Sequence, residues 1–588
     1  MPCAYIEETQ VSLLSSEDRT NLAFVSPSKI QEWTLAKIED YTNRIEALKA
    51  VHNSAAAINR KLPRDVLLEV FSQLKPDRRS AGWYDVLHVC RLWRLLLFRC
   101  PAFWTDVLRA PRDLVGVTER SMARLTHFLD LARTRPLELS VIGLPQSAAR
   151  ALSSHARHIV VLEVEGNQRD LALLNSLIDA GLPLLKRLSV AHRCDTRNTR
   201  ALPPIQLGYD KLPCLRSLKM PSQSSYIMSH TFARLSHIEL YGCRCRSCQA
   251  SSVTYSHMRY TLGRCSALET LELTDLCLKD LPSCGGYDTV RLPSLRRLDV
   301  WDDPGLMPAL LADLSLPKTC FVSLNRAATT FESMLPEPED CPQFYPVKFA
   351  DKVVVEFDAE EYATLRTYAK DSQLLHMESP GPFRSEGPMP SFSGCESSFF
   401  QLVLQVADIF APPNDVTALT LRTAPPLGDT IGTHSVALRK LLGAFPRLFC
   451  LDTTAYDGKT DLLSTLGEVL DIGLYHCPFL LELRVRWRYQ IINPNRDSHW
   501  LSPKVPYVPR RTGPQALGDF CDAIASIIKR RAGRAGPLCT LSVTIVPGDD
   551  DELPWTELAK RAEARLQEEL GFTKLVHRID VSYATDAS

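Results

Sequence analysis

Three closely spaced cysteines, Cys243, Cys245 and Cys248, form the segment most typical of metal chemistry. Thiolates at such separations are common zinc ligands, but a closed zinc site uses four ligands. The second Cys-x-x-Cys or His-x-x-x-His segment that usually completes such a site does not follow. Cys243 also falls at the ninth position of a leucine-rich pattern described below, which gives it a structural role instead. We therefore predict no metal site, with zinc as the alternative.

A second segment, Gly458-Lys459-Thr460, resembles the end of a phosphate-binding loop. Such a loop needs another glycine five residues before Gly458, where Thr453 stands, so the backbone cradle for phosphate is missing. The chain also contains no Gly-x-Ser-x-Gly and no His-Glu-x-x-His segment. The sequence therefore predicts no cofactor and no catalytic residues. A zinc- or nucleotide-dependent enzyme remains the least supported class.

The overall charge and cysteine content narrow the class of protein further. Lys plus Arg and Asp plus Glu both total 68 in 588 residues, so neither nucleic acid nor an anionic membrane is predicted as a partner. The 18 cysteines are scattered through leucine-rich segments, and the first residues lack the basic start and apolar core of a signal peptide. We predict reduced thiols and a location in the cytoplasm, the nucleus or both.

The elements that would position a binding site begin with an amphipathic helix. Apolar residues recur on one face of it at offsets of 0, 4, 5, 8, 9 and 12, namely Leu62, Val66, Leu67, Val70, Phe71 and Leu74. Pro63 stands where the first turn of a helix tolerates proline. A polar break at 75–77 follows, and then a run from Trp83 to Leu97 that is too apolar for one narrow stripe. We expect this second run to be covered on more than one side.

These residues together resemble an F-box, in the form found in a large family of mushroom-forming fungi. The resemblance is carried by Leu62-Pro63, Val70-Phe71, Leu74 and the segment Val89-Cys90-Arg91-x-Trp93-Arg94, followed by Cys-Pro-Ala-Phe-Trp. The departure is the loop 75–82, which is longer and more polar than the usual turn. An ordinary helical hairpin, with its apolar residues facing an internal core, is the alternative.

The resemblance implies a three-helix module that docks on the Skp-type adaptor of a cullin-RING ubiquitin ligase. So small a module buries little apolar surface alone, which is a physical reason for it to bind a partner. By position, the resemblance places the following residues at the adaptor-facing edge: Leu62, Pro63, Val66, Leu67, Val70 and Leu74. It assigns Trp93 to brace the third helix.

Beyond this module a leucine-rich pattern, Leu-x-x-Leu-x-Leu or a close variant, recurs. It begins at residues 159, 185, 215, 235, 268 and 295, returns at 480, and is weaker at 448. Such a repeat predicts short parallel strands, each joined by a loop or helix, that must stack on neighbours to bury their apolar side. Asn167 and Cys243 occupy the ninth-position slot. Leucine-rich repeats also follow F-boxes in one branch of that family.

The predicted fold class is therefore α+α/β, a small three-helix F-box followed by an irregular α/β leucine-rich-repeat solenoid. The predicted segments are a tail (1–27), an amphipathic helix (28–60), the F-box (61–108), the repeat array (135–546) with flexible loops at about 375–400 and 490–514, and a capping helix and tail (547–588). The helix at 28–60 carries Ile38, Tyr41, Ile45 and Leu48 at alternating spacings of three and four. It either packs beside the F-box or acts as a dimerisation arm.

Two functions fit these elements. In the first, the F-box binds the adaptor, and through it a cullin, while the repeats bind an unknown target protein for ubiquitylation. In the second, the chain is a non-catalytic scaffold with no ubiquitylation role. Basic residues at outward positions of the repeats are consistent with an acidic partner, although alternating charge is also common on solvated strands. These residues are Lys186, Arg187, Arg216, Lys219, Arg296 and Arg297. The basic segment Lys529-Arg530-Arg531 fits a nuclear import patch or simple complementarity to a helix dipole.

Overall fold

A computed structural model gives the structure of the protein. The residues it describes are 11–73, 85–110, 112–114, 118–192, 205, 207–208, 210–222, 232–243, 254–276, 278–279, 289–302, 305–325, 331–336, 344–357, 362–380, 403–410, 414–423, 431–456, 477, 479–488, 513–546, 554–571 and 574–584. The chain divides into two compact units, Met1–Glu165 and Gly166–Ser588, and each is described by itself.

The first unit is mostly helical and ends in three short parallel strands. Its helices are α1 (Ser16–Phe24), α2 (Ile30–Ala55), α3 (Ala57–Lys61), α4 (Arg64–Ser72), α5 (Asp85–Val89), α6 (Arg91–Phe98), α7 (Pro101–Arg109), α8 (Glu119–Ala132) and α9 (Gln146–Ser154). Its strands are β1 (Arg112–Asp113), β2 (Leu137–Ile142) and β3 (Ile159–Gly166). Strand β2 pairs in parallel with both β1 and β3.

An aromatic cluster centred on Trp104 joins the helices α6, α7 and α8. The Trp104 ring stacks on Phe98 and Phe128 at centroid distances of 5.9 and 5.0 Å, and it meets Phe103 edge-on at 5.3 Å. Its Nε1 donates a hydrogen bond to the Leu97 carbonyl at 2.8 Å. Because a buried indole N–H needs an acceptor, this bond allows the ring to lie fully in the core. The tryptophan that closes the F-box-like segment is thus a packing residue.

Helix α2 is anchored at both ends by polar contacts. Near its start, Asp18 of α1 accepts hydrogen bonds from Lys37 and Tyr41, and the Lys37 bond is the main cause of a strongly lowered pKa of Asp18. Near its end, Asn53 Nδ2 donates to the Val89 carbonyl at 3.4 Å. The helix therefore reaches the F-box-like segment through its last turns.

The apolar stripe predicted on α2 stays largely uncovered within the chain. Ile38, Ile45 and Leu48 are exposed, and only Tyr41 of the predicted stripe is partly buried. The two predicted roles of this helix, packing beside the F-box and acting as a dimerisation arm, therefore both stay predictions.

The second unit contains a large, mostly parallel sheet with helices between its strands. The helices are α10 (Gln168–Asp179), α11 (Tyr255–Leu262), α12 (Leu306–Asp313), α13 (Tyr345–Lys348), α14 (Ile431–Ala444), α15 (Gly513–Ala535) and α16 (Trp555–Leu566). The strands are β4 (Arg187–His192), β5 (Ser217–Pro221), β6 (His237–Tyr241), β7 (Thr270–Thr274), β8 (Val290–Arg291), β9 (Arg297–Trp301), β10 (Leu314–Ser315), β11 (Phe321–Asn325), β12 (Lys352–Phe357), β13 (Tyr362–Ala369), β14 (Ser372–Pro380), β15 (Ala418–Thr423), β16 (Cys450–Tyr456), β17 (Glu482–Arg488), β18 (Leu538–Val546) and β19 (Val576–Tyr583).

The strands of this sheet follow the predicted leucine pattern closely. In hydrogen-bonding order they run β4-β5-β6-β7-β9-β11-β14-β13-β12-β15-β16-β17-β18-β19, while β8 and β10 pair with each other. In parallel register, Leu188 lies opposite Leu218, Leu218 opposite Ile238, Ile238 opposite Leu271, and Leu271 opposite Leu298. These side chains are all buried. Neighbouring strands thus bury one another's apolar side chains, which a single strand could not do alone.

Between Val300 and Leu448, where the sequence pattern fades, one strand, β13, runs antiparallel to its neighbours. Strands β12, β13 and β14 pair in antiparallel fashion, and β14 rather than β12 lies beside β11. The predicted loop at about 375–400 is thus wrong for residues 375–380, which lie in β14. Their alternation of buried Leu375 and Met377 with partly exposed His376 and Glu378 is typical of a strand with one covered face. The rest of that predicted loop lies outside the described residues.

The C-terminal segment also differs from the prediction of a capping helix and tail. Helix α16 is present, with Trp555 and Leu558 buried along one side. The residues after it do not form a tail, because β19 pairs in parallel with β18 along its length, Val543 lying opposite Val581. The predicted loop at 490–514 lies outside the described residues except for Gly513 and Pro514, which begin α15. The predicted N-terminal tail likewise contains α1.

To cross a lipid bilayer, a helix must be both long and apolar. Within the part of the chain that the structure describes, none is both long enough and apolar enough to cross a membrane.

Candidate functional site

Helix α4 presents the apolar edge predicted for adaptor binding. Pro63 caps its start without a side-chain hydrogen bond, and the first helical bond runs from Leu67 N to the Pro63 carbonyl at 3.1 Å. Pro63, Val66 and Val70 are separated by three and four residues, so they share one helix face. All three are exposed, Val66 by 40% and Val70 by 46%. Leu62, just before them, is partly buried.

The opposite face of α4 belongs to the core, and this changes the role of one predicted residue. Leu67 and Phe71 each retain only 1% of their surface exposed. They are four residues apart, so they lie on the same inward side of the helix. Leu67 was predicted at the adaptor-facing edge, but it has no accessible surface to offer there. Leu74, the last residue predicted for that edge, lies outside the described residues.

The Cys-Arg-x-Trp-Arg segment has a local structural explanation. Cys90 precedes α6, and its Sγ accepts a hydrogen bond from the Trp93 amide at 3.5 Å, which caps the helix. Arg94 Nε donates to the Leu87 carbonyl at 2.9 Å and so ties α6 back to α5. The partly buried Trp93 ring meets Phe71 edge-on, with centroids 5.1 Å apart. Trp93 therefore links α6 to α4 through its contact with Phe71.

Two further apolar residues of this unit are exposed although the sequence predicted cover for them. Leu95 of α6 is 59% exposed and Val89 of α5 is 47% exposed. Within the second apolar run, Leu97 is thus buried, while Val89 and Leu95 stay exposed. The signal in the sequence was the excess of apolar residues itself.

The metal-like cysteine segment gains no support from the described residues. Cys245 and Cys248 lie outside them, and no group of three or more His, Cys, Asp or Glu side chains suited to a metal occurs within them. Cys265 downstream is buried and donates from its thiol to the Thr261 carbonyl at 3.3 Å. Burial raises the pKa of the Cys265 thiol to about 12.

The phosphate-loop-like segment Gly458-Lys459-Thr460 also lies outside the described residues. Thr453, which replaces the glycine that such a loop requires, is fully buried in β16. Its backbone is an extended strand paired with β17, and not a loop that could wrap a phosphate.

The outward side chains of the sheet form the second candidate site. On β5 and β9 the cations predicted to favour an acidic partner are already paired, Lys219 with Glu239 at 2.6 Å and Arg297 with Asp299 at 2.5 Å. Hydrogen bonding to Asp299 is the main cause of a raised pKa of Arg297. Two of the six predicted cations are therefore compensated by neighbouring carboxylates. The cations of β12 to β17, which the sequence did not single out, are arranged differently and are described below.

Comparison with known proteins adds little information about the fold or function of the chain. No protein-family model matches the chain, and no curated protein matches it. Twelve chains of solved structures match. One is in the crystal structure of the Rad7 and Elc1 complex in yeast, with a TM-score of 0.21, 12% sequence identity, and coverage of 88% of this chain and 94% of that chain. A likeness with so low a score supports no conclusion about fold or function.

Proposed function

We propose that this chain is the substrate-recognition subunit of a Skp-adaptor/cullin/F-box ubiquitin ligase. The observation that carries the proposal is the exposed apolar face of Pro63, Val66 and Val70 on a helix that opens with Leu-Pro. An exposed face of this kind is costly in water unless a partner covers it. In this proposal the helical segment is an F-box that binds the adaptor, and the adaptor binds a cullin.

In the same proposal the second unit is an irregular leucine-rich-repeat solenoid that binds a target protein. Its strands repeat the pattern Leu-x-x-Leu-x-Leu in register, with polar residues alternating on the open side. Ubiquitin transfer would be performed by partner subunits, so the chain needs no catalytic residues or cofactor of its own. Cytoplasm and nucleus, where such ligases act, are the proposed locations.

The proposal is tested by co-expression of the full chain with a Skp-type adaptor, followed by affinity capture. The double variant Val66→Asp/Val70→Asp should lose the adaptor, because two carboxylates would have to be desolvated at the interface. Both positions are exposed, so the variant should fold as the parent does. The matched control is Leu184→Asp, which changes a similarly exposed apolar residue of the second unit.

Retention of the adaptor by the double variant, or equal loss by both variants, would overturn the proposed interface. The scaffold alternative is separated by adding the cullin. A complex that contains chain, adaptor and cullin and that ubiquitylates a bound protein supports the ligase role. An adaptor complex that excludes the cullin supports the scaffold role instead.

A further inference from the structure

Strands β12, β13, β15, β16 and β17 form a cavity on the open side of the sheet. Its volume is about 450 Å³. The residues that line it are Lys352, Val354, Glu356, Arg366, Tyr368, Ala418, Thr420, Arg422, Cys450, Asp452, Glu482, Arg484 and Arg486. The side chains between them in sequence point the other way into the core, because successive strand residues alternate between the two faces.

The strand register brings these side chains together in transverse rows. Val354 lies opposite both Arg366 and Thr420, Thr420 lies opposite Asp452, and Asp452 lies opposite Arg484. Side chains opposite each other on adjacent strands are close enough to interact. Residues far apart in the sequence thus form one surface, which explains why no single motif predicted it.

Cations outnumber carboxylates in this cavity by two. The cationic side chains are Lys352, Arg366, Arg422, Arg484 and Arg486. The carboxylates are Glu356, Asp452 and Glu482. On a partly enclosed surface such an excess is screened less than on a flat one, so it attracts an anionic group more strongly.

Part of the charge is neutralised inside the cavity. Glu356 binds two arginines, Arg366 at 3.1 Å and Arg422 at 2.7 Å. Glu482 accepts from Arg484 Nε at 2.8 Å. Three arginines are therefore held in place by two carboxylates, which orients their guanidinium groups without using all of their donors.

Two cations are not neutralised in this way. Arg486 Nε lies 3.9 Å from Asp452, beyond hydrogen-bond distance. Lys352 lies over the Tyr368 ring at 5.3 Å, and no carboxylate of the described residues is within ion-pair distance of it. Burial raises the pKa of Asp452, and the nearby Arg486, Arg422, Arg484 and Lys352 oppose this shift. Lys352 and Arg486 are thus the two cations of the cavity without a hydrogen-bonded carboxylate, although Arg486 keeps a long ion pair with Asp452.

We infer that this cavity binds an acidic peptide segment through its Asp and Glu side chains. The guanidinium fork matches a carboxylate with two parallel hydrogen bonds, and the open strand face accommodates an extended chain. That the segment belongs to a target protein rests on the proposed function. Charge complementarity favours an acidic occupant, because the cavity is lined by five cations and three carboxylates.

The test uses the purified full chain without an adaptor and a fluorescein-labelled oligoglutamate peptide. Fluorescence anisotropy should report saturable binding that weakens as salt is raised, while oligoglutamine should not bind. The double variant Lys352→Gln/Arg486→Gln should weaken binding about tenfold, since it removes two charge contacts. The control Arg187→Gln/Arg578→Gln removes the same charge from exposed positions on β4 and β19, outside the cavity.

The control should change the affinity by no more than about twofold, since neither of its side chains lines the cavity. Equal weakening by both variants, equal binding of oligoglutamine, or no binding of oligoglutamate would each overturn the inference. Thermal unfolding of each variant at the parental temperature confirms that folding is intact. Adaptor capture by the same proteins is a separate readout, so failure of peptide binding can be distinguished from failure of the proposed function.

Discussion

The ring of Trp93 meets the ring of Phe71 edge-on, with their centroids 5.1 Å apart and their planes at 64°. This contact links α6 to α4, and it pairs one half of the F-box-like segment with the other. Phe71 is fully buried, whereas Trp93 is only partly buried. The contact thus lies at the boundary between the core of the segment and solvent.

We expect Trp93→Ala to destabilise the first unit by about 2 kcal/mol, because it removes an aromatic contact and leaves a partial cavity beside Phe71. Thermal unfolding followed by circular dichroism should show the loss. The control Leu95→Ala changes an exposed residue of the same helix and should alter stability by less than about 0.5 kcal/mol. Equal stability of the two variants would contradict the bracing role.

Arg531 is expected to be the structural member of the basic Lys529-Arg530-Arg531 segment. It is buried, and its guanidinium donates to the Gly536 carbonyl at 2.8 Å and to the Leu480 carbonyl. Arg531→Met should cost about 2 kcal/mol, because it leaves two carbonyls without these donors.

The measurement for Arg531 is the midpoint of urea unfolding, compared with Arg530→Met, which replaces an exposed neighbour. The control should unfold near the parental midpoint. If Arg531→Met is equally stable, its hydrogen bonds do not anchor α15. Because one of its three basic side chains is buried, the segment is a poorer candidate for a nuclear import patch than its sequence indicated.

The capping of α10 gives a prediction that concerns one local element. Asn167 Oδ1 accepts from the Arg169 and Asp170 amides at 2.8 and 3.3 Å, while Asp170 Oδ2 accepts from the Asn167 amide at 2.8 Å. Asn167→Ala should destabilise this helix by about 1 kcal/mol.

Hydrogen exchange measured by mass spectrometry should show faster exchange in peptides from α10 of Asn167→Ala. The control Arg169→Ala keeps the cap and changes an exposed side chain, so exchange there should stay close to that of the parent. Unchanged exchange in Asn167→Ala would mean that packing of the helix outweighs its cap.

Acid should weaken the second unit partly through His376. Burial, followed by the nearby Arg366, lowers the pKa of His376, and Glu378, Glu356 and Asp299 oppose this only in part. The folded state therefore holds this side chain neutral more firmly than the unfolded state does. The contribution of neutral His376 to the free energy of unfolding is complete above the pKa of histidine in the unfolded chain, about 6.5. It is lost as the pH falls below that value.

We expect His376→Gln to reduce the loss of stability between about pH 6.5 and 5, as measured by urea unfolding at a series of pH values. The loss should persist in part, because burial also lowers the pKa of His192. The control His577→Gln replaces an exposed histidine and should leave the pH dependence unchanged. A steeper acid loss in His376→Gln would contradict the sign of the shift.

The strands with the leucine pattern could be predicted from the sequence because their burial is local. Leu185, Leu215, Leu235, Leu268 and Leu295 each precede a strand by two residues, and all five are buried. The period of the pattern alone specifies which side chains point inward. Asn167, which the pattern placed in the ninth-position slot, caps the helix α10 in the structure.

Features that depend on pairing between distant segments could not be predicted in the same way. The antiparallel strands β13 and β14 carry alternation without the leucine pattern, and nothing local shows that β14 lies beside β11. The same holds for the cavity on β12 to β17, whose charges meet only through strand register. In the first unit, the pattern on α4 placed Leu67 and Val66 on one broad apolar stripe. Only packing distinguished the buried residue from the exposed one.

The order of the central strands has a consequence for synthesis on the ribosome. Strands β5, β6, β7, β9 and β11 each find a neighbour that has already emerged, so this half of the sheet can assemble co-translationally. Strand β12 has no such neighbour, because both of its partners, β13 and β15, are made after it. Once β12 has emerged and until β13 and β15 follow it, Val353 and Val355 have no neighbouring strand beside them, so apolar surface stays exposed for longer in this part of the sheet.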